Sequence, residues 1–293
     1  MQQTQQLSLP ATILDAGVDW ITATSKTGGA RYEMRVLAED SLHRLMDRAE
    51  PIKQQKRQGF TGWAAEGLFY GERNQDSMMI ASGSRAKDSW QAVANVSDNV
   101  SRLDLQTTVW TYNERPHVAK VVYEEIKRGL AGIIPVRNAT YIEGHPDGET
   151  VNLNKRASDQ SGRIYDKASE GRLGLSRSVW RYEVEVRRGA ASSALAHLRS
   201  DHRTDAVAVR LVHDWFLRRG IATLFDPSDF SSTLEIRVGT RPRDTLSWFR
   251  DTLSKTVARQ ISEHGLDAVI TALGLYSPLP PTCTKEDSTN GGR

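Results

Sequence analysis

Cysteine is nearly absent from this chain, since Cys283 is the single one among 293 residues. No disulfide can form within the chain, and such sparing use of cysteine suits a reducing cytoplasm, where we expect the protein to be found. No apolar run approaches the roughly 18 residues that a membrane span needs. The opening stretch MQQTQQLSLP has neither the basic nor the apolar region of a secretory signal. We therefore expect no membrane partner.

Two kinds of site are also missing from the sequence. The lone cysteine and the seven dispersed histidines leave no spacing typical of a zinc site. The phosphate-binding motif G-x-x-x-x-G-K-[ST] does not occur, so we expect no built-in ATPase.

Neither sign of charge dominates, because 39 lysines and arginines face 36 acidic residues and leave a net charge of +3. This balance alone does not identify a DNA-binding protein. Basic residues do cluster in three stretches, PIKQQKRQGF (51–60), NLNKRASDQSGR (152–163) and EVRRGA (185–190). Such clusters fit a nucleic-acid surface, although a solvated protein surface explains any one of them as well.

The hydrophobic patterns predict strands mixed with helices to about residue 188 and mostly helices afterwards. Helical spacing marks segments at 38–50 and 117–130, and later three stripes: Val209, Val212 and Phe216; Leu246, Phe249 and Leu253; Val269, Ile270 and Leu273. In the helix at 117–130 the spacing places Val118, Val121, Val122 and Ile126 on one face. We expect a flexible arm over 1–15, an α+β domain over 16–190, a helical part over 191–276 and a disordered tail over 277–293.

Three predicted strands each have one face rich in charge. Because side chains alternate along a strand, these faces comprise Arg102, Asp104 and Gln106; Arg163, Tyr165 and Lys167; and Arg181, Glu183, Glu185 and Arg187. If the strands are neighbours, the carboxylates converge and offer the oxygen ligands that Mg²⁺ or Mn²⁺ prefers. The cations of Arg163, Lys167 and Arg181 can then hold phosphate. Water-facing strands joined by cross-strand ion pairs, with no ligand, are an alternative that the sequence leaves open.

Tyr165 lies within the stretch GRIYDKASE, between an arginine and a lysine. A free tyrosine titrates near 10, and neighbouring cations or a divalent metal favour its ionised form. The phenolate can attack a phosphodiester and keep the bond energy in a phosphotyrosine ester. An aromatic side chain that merely packs across strands is the alternative.

Three segments, SRLDLQTTV (101–109), TVNLNKRASDQSGRIYDKASE (150–170) and VWRYEVEVRR (179–188), resemble the replication initiation factor family of rolling-circle plasmids and filamentous phages. That family of trans-acting Rep initiators includes related relaxases of integrative elements. The resemblance runs in order from about residue 18 to 275. It implies an α+β fold with an antiparallel-rich sheet, helices packed on one face and a mainly helical C-terminal segment. Such a core is a degenerate form of the histidine-hydrophobe-histidine nickases, and this chain indeed has no His-x-His.

The resemblance also assigns roles to individual residues. Tyr165 becomes the nicking and joining nucleophile, with Arg163 and Lys167 as its phosphate contacts. The candidate ligands of Mg²⁺ or Mn²⁺ are Asp104, Glu183 and Glu185. The candidate DNA contacts are Arg102, Lys155, Arg156 and Arg181. One departure is that Asn154 and Lys155 stand where the family favours Gly and Ser.

The implied function is to nick and rejoin one DNA strand at an origin through a 5′-phosphotyrosine intermediate, without ATP. The domain over 16–190 would bind and nick the DNA. A separate host helicase of the PcrA/UvrD/Rep type would unwind the duplex. No second tyrosine shares the strand face of Tyr165, which favours a homodimer with one nucleophile from each subunit. A conjugative relaxase with the same chemistry and a non-enzymatic DNA-binding regulator are the alternatives.

Overall fold

The computed structural model describes residues 11–47, 51–111, 117–132, 134–144, 148–154, 158–170 and 178–227. The chain divides into two units, Met1–Gly239 and Thr240–Arg293, and every described residue belongs to the first. Four predicted features lie outside the described residues: positions 1–10 of the arm predicted over 1–15, the turn with Lys155 and Arg156, the two later helical stripes, and the tail.

One antiparallel sheet dominates the described structure. Its ten strands follow the spatial order β2-β3-β4-β5-β1-β6-β10-β9-β8-β7, and every neighbouring pair runs antiparallel. The strands are β1 (Ala11–Ser25), β2 (Lys53–Arg57), β3 (Phe60–Ala65), β4 (Leu68–Arg73), β5 (Asp76–Ser82), β6 (Asn99–Thr111), β7 (Ala139–Gly144), β8 (Gly148–Leu153), β9 (Gln160–Asp166) and β10 (Val179–Arg187). The two longest strands, β1 and β6, pair near the centre of the sheet.

Five of the described helices pack on one side of the sheet, which we call the helix face. They are α1 (Gly28–Asp47), α2 (Ser84–Asn95), α3 (Val118–Lys127), α5 (Gly189–Ser200) and α6 (Thr204–Leu217). A single turn of helix, α4 (Lys167–Glu170), follows β9 directly, and a 3₁₀ turn covers Val136–Asn138. The α+β architecture with an antiparallel-rich sheet and helices on one face is therefore confirmed.

The alternation in β10 shows how the sequence builds this core. Trp180, Tyr182, Val184 and Val186 all point to the helix face and are fully buried. The Tyr182 ring meets Phe216 of α6 edge to face at a centroid distance of 5.3 Å. Burying an apolar side chain of this size stabilises the fold by about 1.5–3 kcal/mol. Tyr182 thus belongs to the core rather than to the charged face of its own strand.

Strand β9 passes directly beneath the indole of Trp215 in α6. A Cβ atom built on Gly162 would lie 2.4 Å from Trp215 Cζ3, so only glycine fits at this position without movement. The indole is also held from two other sides. Its Nε1 donates a hydrogen bond of 2.9 Å to Gln160 Oε1, and the Arg219 guanidinium carbon lies 3.7 Å from its ring centroid. This contact fixes the position of the strand that carries Arg163 and Tyr165.

Several expectations about the elements were wrong. Ala11–Asp15, assigned to the flexible arm, form the start of β1. Helix α1 begins at Gly28 rather than near residue 38. The sequence pattern missed its first turns because the buried stripe is narrow and includes a serine; the stripe consists of Met34, Ala38, Ser41 and Leu45. Val121 is exposed instead of sharing the buried face of α3. Within the described part of the chain, no helix combines the length and apolar character needed to cross a bilayer.

Candidate active site

Strands β6, β10 and β9 are neighbours in the sheet, as the sequence predicted for the three charged strands. Their side opposite the helix face, which we call the polar face, consists of Arg102, Asp104, Gln106, Arg163, Tyr165, Arg181, Glu183, Glu185 and Arg187. The register places Glu185 opposite Asp104, and Arg181 opposite Tyr165. Residues opposite each other in an antiparallel pair have Cβ atoms about 4.5–5.5 Å apart. The strand pairing therefore gathers the predicted acids, cations and tyrosine into one cluster.

Asp104 is joined to Glu185 through Arg102. The Arg102 guanidinium donates from Nε to Asp104 Oδ1 at 2.8 Å, while its Nη2 lies 3.0 Å from Glu185 Oε2. Arg187 Nε completes the chain with a bond of 2.5 Å to Glu185 Oε1. Burial raises the pKa of Asp104 to about 7, and the nearby carboxylates of Glu183 and Glu185 add to the rise, although Arg102 opposes it. A cation in addition to Arg102 would stabilise the charged form of this carboxylate.

Glu183 connects the carboxylates to Tyr165. Its Oε1 accepts a hydrogen bond from Arg163 Nη2, and its Oε2 accepts one of 3.4 Å from the Tyr165 hydroxyl. Burial lowers the pKa of Arg163, but the charge and hydrogen bond of Glu183 outweigh this and raise it overall. The guanidinium carbon of Arg163 also lies 5.3 Å from the centroid of the Tyr165 ring. The tyrosine is therefore coupled both to a cation and to a proton acceptor.

Tyr165 opens into a cleft of about 440 Å³ that is also lined by Lys87, Lys167 and Arg181. Lys167 Nζ lies 5.8 Å from the centroid of the tyrosine ring. Arg181 donates to Thr108 Oγ1 at 2.8 Å and forms an ion pair of 3.2 Å with Asp19. The cationic surroundings predicted for Tyr165 are thus present, and a phosphate group could approach the hydroxyl through this cleft.

Lys167 reaches the tyrosine from a different element than the sequence predicted. It is the first residue of α4, not the last residue on the face of β9. Asp166 causes the change, because its Oδ1 accepts the backbone N–H groups of Ala168 and Ser169 at 3.0 and 3.1 Å. Such side-chain capping at the start of a helix ends β9 at Asp166, one residue after Tyr165.

The strand alternation suggests a polar face that is open to water, but the structure shows its central side chains buried. Asp104, Glu183 and Tyr165 are only 1%, 2% and 7% exposed. The paired arginines extend over the shorter acidic side chains and shield them, while their aliphatic portions remain partly buried. The cross-strand ion pairs of the alternative interpretation, Arg163 with Glu183 and Arg102 with Glu185, are present, although the Glu183 carboxylate is buried rather than water-facing.

The carboxylates fit a divalent cation in chemical type, although Arg102 and Arg187 occupy the oxygens of Asp104 and Glu185. Asp104 and Glu185 face each other on adjacent strands, and Mg²⁺ is often bound by one or two carboxylates together with waters and substrate phosphate. Across the described ranges, no group of three or more Asp, Glu, His or Cys side chains forms a ready-made metal site. The assignment of Mg²⁺ or Mn²⁺ ligands to Asp104, Glu183 and Glu185 stays a prediction.

The sequence analysis did not assign three further residues to the site. Trp20 of β1, Asn152 of β8 and Ser161 of β9 line a second cleft, of about 320 Å³, beside Glu183. Their strands flank the three charged ones or extend them, so their positions follow from the strand order. The alternation in VDWITAT indicates that Trp20 shares a face with Thr22, but not which strand lies next to it.

No protein-family profile matches the chain, and no curated protein is significantly similar to it. Among solved structures, a rolling circle replication initiator protein from Geobacillus stearothermophilus is similar, with a TM-score of 0.43 and 16% sequence identity. The similarity covers 71% of this chain and 99% of that chain. A likeness this distant does not transfer a function, so the functional argument depends on the side chains themselves.

Proposed function

We propose that the protein nicks and rejoins a DNA strand through Tyr165, as the initiator of rolling-circle replication. The observation that carries this proposal is the setting of one tyrosine hydroxyl. It donates to the buried Glu183 carboxylate while Arg163, Lys167 and Arg181 surround it with positive charge. A structural tyrosine needs a packing site and one hydrogen bond, but three cations beside a cleft fit an approaching phosphodiester.

The reaction proceeds by exchange of phosphodiester bonds. The phenolic oxygen of Tyr165 forms a bond to phosphorus, and the bond between phosphorus and the 3′-oxygen breaks. The phenolic proton passes to Glu183, and the departing 3′-oxygen takes up a proton from solvent to become a free hydroxyl, which balances the proton that Glu183 later releases to solvent. The DNA is left with a 5′-phosphotyrosyl link, and the reverse reaction with another 3′-hydroxyl reseals the strand. Because no phosphodiester is hydrolysed, neither step requires ATP.

The cationic side chains bind and orient the substrate phosphate. Arg163 holds Glu183 on one side and faces the Tyr165 cleft on the other, so it can contact the scissile phosphate without moving far. Lys167 and Arg181 line the same cleft and add positive charge to it. Pre-positioned donors of this kind stabilise the charge that builds up on the phosphate oxygens in the transition state.

A divalent cation would neutralise charge on the phosphate and on the departing oxygen. Since Glu183 accepts the tyrosine proton in this proposal, Asp104 and Glu185 are the better candidates for its ligands. Titration calorimetry with Mn²⁺ tests this independently of nicking. We expect Asp104→Asn to weaken Mn²⁺ binding at least about tenfold, and Asp40→Asn, at an exposed ion pair with Arg44 in α1, to leave it unchanged. Equal binding by both variants would exclude Asp104 as a ligand.

The decisive test is nicking of a supercoiled plasmid that carries the origin of the protein's own replicon, with Mn²⁺ or Mg²⁺ present. We expect wild type to produce nicked circles with protein bound to the 5′ end, and Tyr165→Phe to produce none. Tyr32→Phe, at an exposed position of α1, is the matched control. Tyr182→Phe should also nick, because that side chain packs on the helix face. Nicking by Tyr165→Phe would refute the assignment, and specific binding without cleavage by wild type would favour the regulator.

The proposal includes two partners besides origin DNA. A host helicase would supply unwinding, because the sequence has no P-loop. A second copy of the chain would supply the tyrosine for the closing step. Covalent trapping of DNA ends by mixed dimers of wild type and Tyr165→Phe would test whether each subunit supplies one tyrosine. We expect such mixed dimers to trap one DNA end, where wild-type dimers trap two. Closure by such mixed dimers at the wild-type rate would contradict it.

A further inference from the structure

The cleft of about 320 Å³ beside Glu183 has properties that phosphate chemistry does not use. Its volume lies at the small end of the range of about 300–1,000 Å³ for small-molecule sites. Arg163 lines both this cleft and the one that contains Tyr165. A nucleotide whose phosphate is held by Arg163 would therefore have its sugar and base within reach of the second cleft.

Two hydrogen-bonding side chains in this cleft have no hydrogen-bond partner among the residues that the structure describes. The Asn152 amide lies opposite Arg163 and makes no hydrogen bond with any residue that the structure describes. The Ser161 hydroxyl lies opposite Glu185 and, within the same described ranges, is also without a partner, although the residue is only 7% exposed. Both side chains line the cleft, and a few polar groups that converge on a cleft favour a ligand with its own donors and acceptors.

A flat stacked pair forms another part of the wall. The Arg102 guanidinium carbon lies 4.5 Å from the centroid of the Trp20 ring, and both residues line the cleft. Nucleobases stack on aromatic rings and on guanidinium planes. Apart from Arg163, which the proposed function assigns to the scissile phosphate, the arginines of this cleft are neutralised by carboxylates, Arg102 by Asp104 and Arg187 by Glu185. The cleft therefore suits a flat, neutral, polar group better than an additional phosphate.

We propose that this cleft is a base pocket, which takes the nucleobase of a nucleotide adjoining the scissile phosphate and reads it through Asn152 and Ser161. The inference rests on the proposed nicking function, since it uses Arg163 to place the phosphate. An asparagine amide can pair with one base edge through two hydrogen bonds, and such a pair discriminates strongly between bases. The pocket would thus contribute to the choice of nick site.

Binding of short single-stranded DNA tests the pocket without requiring any cleavage. The full chain with Tyr165→Phe is titrated into labelled dA8, dC8, dG8, dT8 and an abasic octamer of the same length, with fluorescence anisotropy as the readout. We expect at least one of the four sequences to bind about tenfold more tightly than the abasic octamer. Adding Asn152→Ala should remove most of that preference and leave abasic binding unchanged. Asn152→Asp, which keeps the size of the side chain, and Ser161→Ala serve as second variants.

The matched control is Asn95→Ala, which removes an amide from α2 on the helix face. It should keep the base preference of the parent. Equal binding of abasic and base-containing DNA would overturn the pocket, as would a preference that survives all three cleft substitutions. The plasmid assay separates this failure from failure of the proposed function. Nicking with base-independent binding would refute only the pocket, whereas base-dependent binding through Asn152 without nicking would refute only the nickase.

Discussion

Substitution of Gly162 by alanine should destabilise the protein through a single steric contact. The added Cβ would lie 2.4 Å from Trp215 Cζ3 and 2.6 Å from Cη2, about 1 Å closer than ordinary van der Waals contact begins. The indole cannot easily move away, because Gln160 holds its Nε1 and Arg219 covers its ring. Overpacking of this kind typically costs about 1–3 kcal/mol. We expect a loss of that size in the free energy of unfolding.

Urea denaturation followed by tryptophan fluorescence and by circular dichroism would measure the loss. The matched control is Gly29→Ala, because a Cβ at Gly29 has no neighbour within 4 Å and alanine favours the helix that it lies in. That variant should be as stable as wild type or slightly more stable. Combining Gly162→Ala with Trp215→Leu should cost less than the sum of the two single changes. A Gly162→Ala protein within about 0.5 kcal/mol of wild type, the usual range for harmless surface changes, would refute the reasoning.

Two further predictions concern the buried charges. Burial raises the pKa of Asp104 from 3.8 to about 7, so the folded state keeps this proton where the unfolded chain has lost it. The contribution of this group to the free energy of unfolding is therefore lost as the pH rises from about 4 to about 7. In buffer with EDTA, the stability of Asp104→Asn relative to wild type should increase across that pH range. Stability curves of the two proteins that run parallel with pH would contradict this. Arg163→Leu leaves the Glu183 carboxylate, 2% exposed, without its cation, which should cost about 2–4 kcal/mol after allowance for partial exposure of the arginine. The double variant Arg163→Leu with Glu183→Met should recover most of that loss in urea denaturation, and an additive loss would exclude the pair as its cause.

Strand alternation was enough to predict the composition of the polar face. Asp104, Glu183 and Tyr165 share that face because their strands have a two-residue period and apolar opposite sides. Period alone could not predict that Arg102 bridges Asp104 and Glu185, since that depends on the register between β6 and β10. Register is set by pairings between residues about 80 positions apart, which no local pattern reports.

Other parts of the site depend on interactions that have no local signal. Trp20 and Asn152 come close to the cluster only because β1 and β8 lie beside the charged strands. Lys167 was predicted on a strand, but the capping hydrogen bonds of Asp166 override the alternation after Tyr165. The start of α1 was missed since two glycines open it and few apolar residues mark its buried side. In each case tertiary contact outweighs the preference that a short segment shows by itself.

The ion pairs of the polar face have a consequence for how DNA binding should respond to salt. Each of its four arginines already holds a carboxylate: Arg102 with Asp104 and Glu185, Arg163 with Glu183, Arg181 with Asp19, and Arg187 with Glu185. A phosphate that binds such an arginine replaces one anion by another. When free cations of a protein neutralise phosphates of single-stranded DNA, condensed counterions are released. Each such contact makes the logarithm of the binding constant fall by roughly 0.7 for every tenfold rise in salt concentration. Here the carboxylates act as built-in counterions, so affinity at this face should depend on salt less steeply than four arginines imply.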